Sequence, residues 1–143
     1  MSKTLKDFLA DCESLGTLRI IVTNNTAVLE ARGRMENLFY VPRVPTYANM
    51  HNDHFEFHLN MADIQRVKFE ELPAKQGNFT TYCIRLFKPE AEKASLSLFL
   101  QWGKPGAYEP GQVEAFIRLR ETYGAEWFPI WEVLPEPIPA GGH

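Results

Sequence analysis

Apolar and polar residues alternate one for one along His54-Phe55-Glu56-Phe57-His58-Leu59-Asn60. Phe55, Phe57 and Leu59 fall on one side, and His54, Glu56, His58 and Asn60 on the other. A period of two belongs to a β-strand with one face in a core and the other outside. Strand-like runs recur on both sides of it. Leu18 to Thr23 and Ala27 to Ala31 are aliphatic and β-branched, and Asn24-Asn25-Thr26 between them predicts a hairpin. Ile64 to Leu72 sets Val67, Phe69 and Gln65 against Arg66, Lys68 and Glu70. Phe79 to Phe87 and Ala94 to Trp102 follow, parted by a charged turn. In the second of these, Leu96, Leu98 and Leu100 oppose Ser95, Ser97, Phe99 and Gln101. Residues 33–53 are irregular, broken by Gly33, Pro42 and Pro45, with a short edge strand predicted at Leu38 to Val41.

Helical spacing is confined to the two ends. Leu5, Phe8, Leu9 and Cys12 predict a helix over 3–14, with Ser2 as its cap and Gly16 as its stop. Val113, Phe116, Ile117, Leu119 and Tyr123 predict a second, with Pro110 at its first position and Gly124 ending it. Trp127 to Leu134 is expected to dock on the body, and residues 135–143 to form a loose tail. Helix, six or seven strands joined by short turns, then helix is the order of an α+β chain. We therefore expect one domain over residues 1–134, an antiparallel meander with a helix at each end.

Composition narrows the function. With 45% hydrophobic residues the chain has material for a core, which excludes a disordered segment. A formal net charge of −3 leaves no basic footprint, so nucleic acid is excluded as a partner. Cys12 and Cys83 make no CxxC pair and are expected to be buried, reduced thiols. No apolar leader opens the chain and no membrane-length apolar run occurs within it. A soluble, cytoplasmic protein without a membrane partner is expected.

The chemistry has few places to be. G-x-S-x-G, G-x-x-x-x-G-K-[ST] and G-x-G-x-x-G are all absent, which removes support for a serine hydrolase, a phosphate cradle and a dinucleotide site. Three of the four histidines, His51, His54 and His58, fall within eight residues. Along one strand face, His54, Glu56 and His58 are spaced about 7 Å apart and can converge on a small ion. Imidazole with carboxylate suits zinc, iron or manganese, which would make the chain a metal-binding protein or a small metal-dependent enzyme. The same residues also read as a polar sheet face that binds nothing. A third reading is haem, whose iron takes imidazole or tyrosinate. Its faces want apolar walls, for which Phe39, Tyr40, Tyr47 and Trp102 are available, and its propionates want cations such as Arg34, Arg43 and Lys104.

A spread of short motifs bears on that choice. Thr23 to Glu30 carries a Thr-x-x-x-Ala-Val-Leu-Glu run, and Tyr47-Ala48-Asn49 an aromatic-x-Asn. His58-Leu59 follows nine residues later, then Ile64 six beyond the histidine. Further on stand Phe87-Lys88-x-Glu90-Ala91, Leu96-x-Leu98-Phe99-Leu100 and Gln112-Val113-x-Ala115-Phe116-x-x-Leu119. In order and spacing, residues 6–124 resemble the haem-utilisation carriers of the ChuX/HutX type, related to the HemS/ChuS proteins. The resemblance implies a curved antiparallel sheet, a homodimer and a haem ligand. It places His58 at a family histidine implicated in haem binding and Tyr47 near an aromatic that some members use on the iron side. A second family histidine falls at Thr23, which is no haem ligand. The expectation is a haem carrier that binds without catalysis, with Tyr47, His58, His54, Arg43 and Arg34 around the ligand. A same-fold protein holding another flat apolar molecule is the alternative to haem that Thr23 leaves open.

Overall fold

A computed structural model describes residues 3–131 of the chain. The cap expected at Ser2 and the tail over 135–143 lie outside the described residues. So does the part of the docked segment beyond Trp131.

Helix α1 (Leu5–Asp11) is capped by Thr4, whose side-chain oxygen accepts from the Asp7 amide at 3.0 Å, and it tightens into a 3₁₀ turn over Cys12–Leu15. Eight strands follow: β1 (Thr17–Thr23), β2 (Val28–Arg34), β3 (Tyr47–His51), β4 (Glu56–Asn60), β5 (Arg66–Pro73), β6 (Thr80–Phe87), β7 (Leu96–Leu100) and, after helix α2 (Gln112–Tyr123), the short β8 (Glu126–Trp127). The α+β class holds, and every pair of neighbouring strands is antiparallel.

The connectivity is more than a meander. Six strands form one sheet in the order β2-β1-β7-β6-β5-β8, and β3 and β4 form a separate hairpin. Only β5, β6 and β7 run as a simple meander. β1 crosses to pair with β7, so Ile20 lies opposite Leu98. The hairpin between β1 and β2 turns without glycine because Asn25 takes a positive φ of 73°, a conformation asparagine tolerates. Asn24 Oδ1 accepts from the amides of Thr26 and Ala27 in the same turn.

One face of the large sheet is the core. Leu18, Ile20, Val67, Phe69, Ile84, Leu86, Leu96, Leu98 and Leu100 are buried there beneath the two helices. Phe8 of α1 meets the edges or faces of Phe69, Tyr123 and Trp127, and Phe116 of α2 packs edge-on to Phe69 at 5.4 Å. Edge-to-face contacts of this kind add to what burial alone contributes. Trp127 is docked as expected, whereas Phe128 is exposed. Helix α2 begins later than Pro110 suggested, after Gly111, whose φ of 83° turns the chain into it.

The β3–β4 hairpin rides on this body. Its inner face, Ala48, Met50 and Phe57, joins the core. Gly33 of β2 lies beneath the hairpin's far end, where a side chain at that position would come within 2.8 Å of the Phe55 ring. On its outer face His51, Glu56 and His58 are exposed, Tyr47 and Asn60 are half-buried and Asn49 is buried. The edge strand expected over Leu38 to Val41 is reduced to a single bridge, Phe39 with Asn49 of β3. Among the described residues no helix is long and apolar enough to cross a membrane.

Candidate functional site

Strand pairing decides which polar side chains share the hairpin's exposed face. The register sets Tyr47 opposite Asn60, Asn49 opposite His58 and His51 opposite Glu56. Directly opposed residues point the same way, so three rows of two form one polar surface, with His58 in the middle row. Alternation in β4 is as the sequence pattern requires: Phe57 is buried while Glu56 and His58 are exposed.

His54 is not part of this face. Asn52 Oδ1 accepts from the amides of His54 at 2.8 Å and Phe55 at 3.0 Å, and the Asn52 amide bonds to the Phe55 carbonyl. That side-chain turn closes the hairpin, so His54 sits at its tip and β4 starts two residues later. The expected trio of His54, Glu56 and His58 is thus corrected. His51, across the strand, occupies the place assigned to His54. Its Nε2 meets Glu56 Oε1 at 2.8 Å, and His58 Nε2 lies 3.8 Å from the same oxygen.

Asn49 orients the central imidazole. It is buried, and its amide nitrogen reaches the carbonyl oxygens of Phe39 at 3.1 Å and Tyr47 at 3.3 Å. Both partners only accept, so the amide group has one sensible orientation, with Oδ1 turned to His58 Nδ1 at 2.7 Å. A carbonyl oxygen cannot donate. Neutral His58 in this contact carries its proton on Nδ1, which turns the Nε2 lone pair away from Asn49. Fixing the tautomer through the second nitrogen is how ligating histidines are held. The aromatic-x-Asn run at Tyr47 to Asn49 was visible in the sequence, but nothing local announced that this asparagine serves the histidine.

The remaining expected residues divide. Tyr47 shares the face with His58, one row along. Phe39 lies edge-on to His51, with centroids 4.9 Å apart, and so borders the face. Arg43 is exposed in the turn that leads into Tyr47. Arg34 pairs with Glu36 at 3.7 Å and, by alternation from Gly33, points away from Phe55 and the hairpin. Tyr40 lies beneath the Lys6 ammonium of α1, and Trp102 packs against Phe79 and Tyr108. Lys104 is in the Lys104–Ala107 turn. Thr23, at the position of a family histidine, ties the β1–β2 turn together, since its hydroxyl donates to the Ala27 carbonyl and accepts from the Asn25 amide.

Chemically the face offers an imidazole nitrogen, a phenol and a carboxylate around an open surface, a donor set for iron or a divalent ion rather than for nucleophilic catalysis.

Comparison with known proteins identifies the fold and the family. The fold is similar to the crystal structure of ChuX, with a TM-score of 0.63 and 22% identity, covering 78% of this chain and 67% of that one. It is also similar to holo-PhuS, a haem-binding protein from Pseudomonas aeruginosa, with a TM-score of 0.65 and 17% identity over 92% of this chain. A third likeness is to the haem-degrading enzyme ChuS of Escherichia coli O157:H7, with a TM-score of 0.65 and 16% identity over 80% of this chain. The match spans only 36% of the PhuS chain and 33% of the ChuS chain. At these identities the likeness is one of fold. No curated protein matches the sequence. The family model described as haem utilisation ChuX/HutX matches residues 1–119, and the chain belongs to that family.

Proposed function

We propose that this protein binds haem on the outer face of the β3–β4 hairpin and carries it without chemical change. The observation that carries the reading is the Asn49–His58 pair. It presents an Nε2 lone pair, in a set tautomer, from the middle of an exposed face. Ferric haem takes neutral imidazole as an axial ligand. Tyr47, one row away, is the oxygen donor available on the same surface, and Phe39 supplies an apolar border. Arg43, on the turn ahead of Tyr47, is the better placed propionate partner. Arg34 is the weaker one, because it faces away from the hairpin. His54, at the hairpin tip, is at most an auxiliary ligand.

Membership in a haem-utilisation family supports haem over other flat molecules. We propose binding without catalysis, as befits a carrier. We further propose that the protein works in the cytoplasm as a homodimer joined through its large sheet. The test is titration of the purified protein with hemin. A Soret band that saturates at one hemin per chain is expected. Spectra identical to hemin in buffer would remove the proposal.

A further inference from the structure

We propose that the same hairpin face is a site for one divalent transition-metal ion of the zinc class, held by His51 Nε2, the Glu56 carboxylate and His58 Nε2. Among the described residues, these are the group of histidine, cysteine, aspartate and glutamate side chains whose ligand atoms all lie within 4.8 Å of one another. Glu56 Oε1 lies 2.8 Å from His51 Nε2 and 3.8 Å from His58 Nε2. Ligands about 2.0–2.1 Å from a tetrahedral zinc stand roughly 3.3 Å apart, so small ring rotations complete the site. The proton that His51 Nε2 shares with Glu56 at 2.8 Å is released to Nδ1 or solvent as the ion takes its place.

The arrangement is built by the fold. A four-residue turn closed by Asn52 brings His51 and Glu56 into opposed register, and His58 follows two residues along the same strand. Each imidazole also has support from behind. Asn49 holds His58 Nδ1, and Phe39 holds the His51 ring edge-on, with the His51 and His58 rings themselves 5.6 Å apart. Carbonyl acceptors behind ligating imidazoles are what tune and orient them in zinc sites. Two neutral imidazoles and one carboxylate leave a fourth position for water. The three side chains are about half exposed, at 51%, 64% and 46%, so an ion reaches them directly from solvent.

One consequence follows for haem, and it alone rests on the haem reading. His58 Nε2 has a single lone pair, so zinc and hemin iron exclude each other. A protein holding zinc takes up hemin only after the ion leaves.

Calorimetric titration of zinc chloride into the chelator-treated, dialysed full chain tests the site. One zinc per chain is expected. His51→Ala and Glu56→Gln should each weaken binding by at least about ten-fold, while His54→Ala leaves it unchanged. Both weakened variants should still give the hemin Soret band, which shows that they are folded. Saturating zinc should raise the hemin midpoint of the wild type and leave that of His51→Ala unmoved. No zinc binding, or equal affinity in wild type, His51→Ala and Glu56→Gln, would overturn the site. A hemin midpoint indifferent to zinc would overturn the sharing of His58. Zinc binding in a protein that gives no Soret band removes haem and keeps the metal site; a Soret band without zinc binding does the reverse.

Discussion

Asn49 decides which nitrogen of the His58 ring is turned outward. Its Oδ1 accepts a hydrogen bond from His58 Nδ1–H, while its amide nitrogen donates to the Phe39 and Tyr47 backbone oxygens in the same network. Asn49→Ala should weaken hemin binding by about ten-fold, the usual cost of losing a partner that orients a ligating histidine. His58 itself would be intact, so the axial spectrum of the remaining complex should be unchanged. Hemin affinity equal to wild type would show that the pair has no part in ligation. At this scale the sequence was readable where alternation governs: His58 and Glu56 outward, Phe57 inward. It misled at His54, because alternation continues through residue 54 while pairing begins only at Glu56. The Asn52 side-chain turn that ends the pattern leaves no periodic mark, and the cross-strand position of His51 depends on it.

At the scale of elements, the hairpin's attachment rests on its inner face. Phe57 is buried beside Met50 and Ala48, whereas Glu56, one residue earlier, is exposed. Phe57→Ala should cost about 3–5 kcal/mol in urea melts, as truncation of a buried phenylalanine does. Glu56→Ala should cost within about 0.5 kcal/mol. Equal losses would mean that this strand does not present alternate faces to core and solvent. Most strand positions followed from such patterns, and the sheet's assembly did not. The pairing of β1 with β7 joins residues far apart in the chain, and local alternation carries no information about which distant strand lies alongside. Leu38 to Val41, which looks strand-like, contributes one bridge, Phe39 with Asn49, because the chain turns from Val41, whose carbonyl accepts from the Val44 amide.

For the molecule as a whole, the helices cover one face of the large sheet and leave grooves on the other. One of them, of about 740 Å³, runs past Arg19, Phe99 and Trp102, with the Arg19 guanidinium 4.8 Å from the Phe99 ring centroid. The proposed dimer would use this sheet. Light scattering at tens of micromolar should give twice the chain mass, and a monomer would contradict it. The buried thiols weaken the fold at alkaline pH, together with Tyr123, whose hydroxyl is also pushed up by burial and by its bond to Asp11. Burial pushes Cys83 from 9.0 up to about 12, and raises Cys12 further. Unfolded thiols ionise near 9.0 while the folded ones stay protonated, so stability is unaffected below that pH and falls above it. Each thiol contributes up to about 1.4 kcal/mol per pH unit to that fall. Urea midpoints should agree at pH 7 and 8 and drop by about pH 10.5; a constant midpoint would show that the thiols are accessible to solvent. The central claim, that the molecule takes haem through His58, is tested most directly by absorption spectra of hemin with wild type, His58→Ala and Tyr47→Phe. A nitrogen-ligated Soret band is expected in the wild type, with clear loss of affinity in His58→Ala and a modest loss in Tyr47→Phe. A phenolate-type high-spin spectrum that survives in His58→Ala and vanishes in Tyr47→Phe would contradict it.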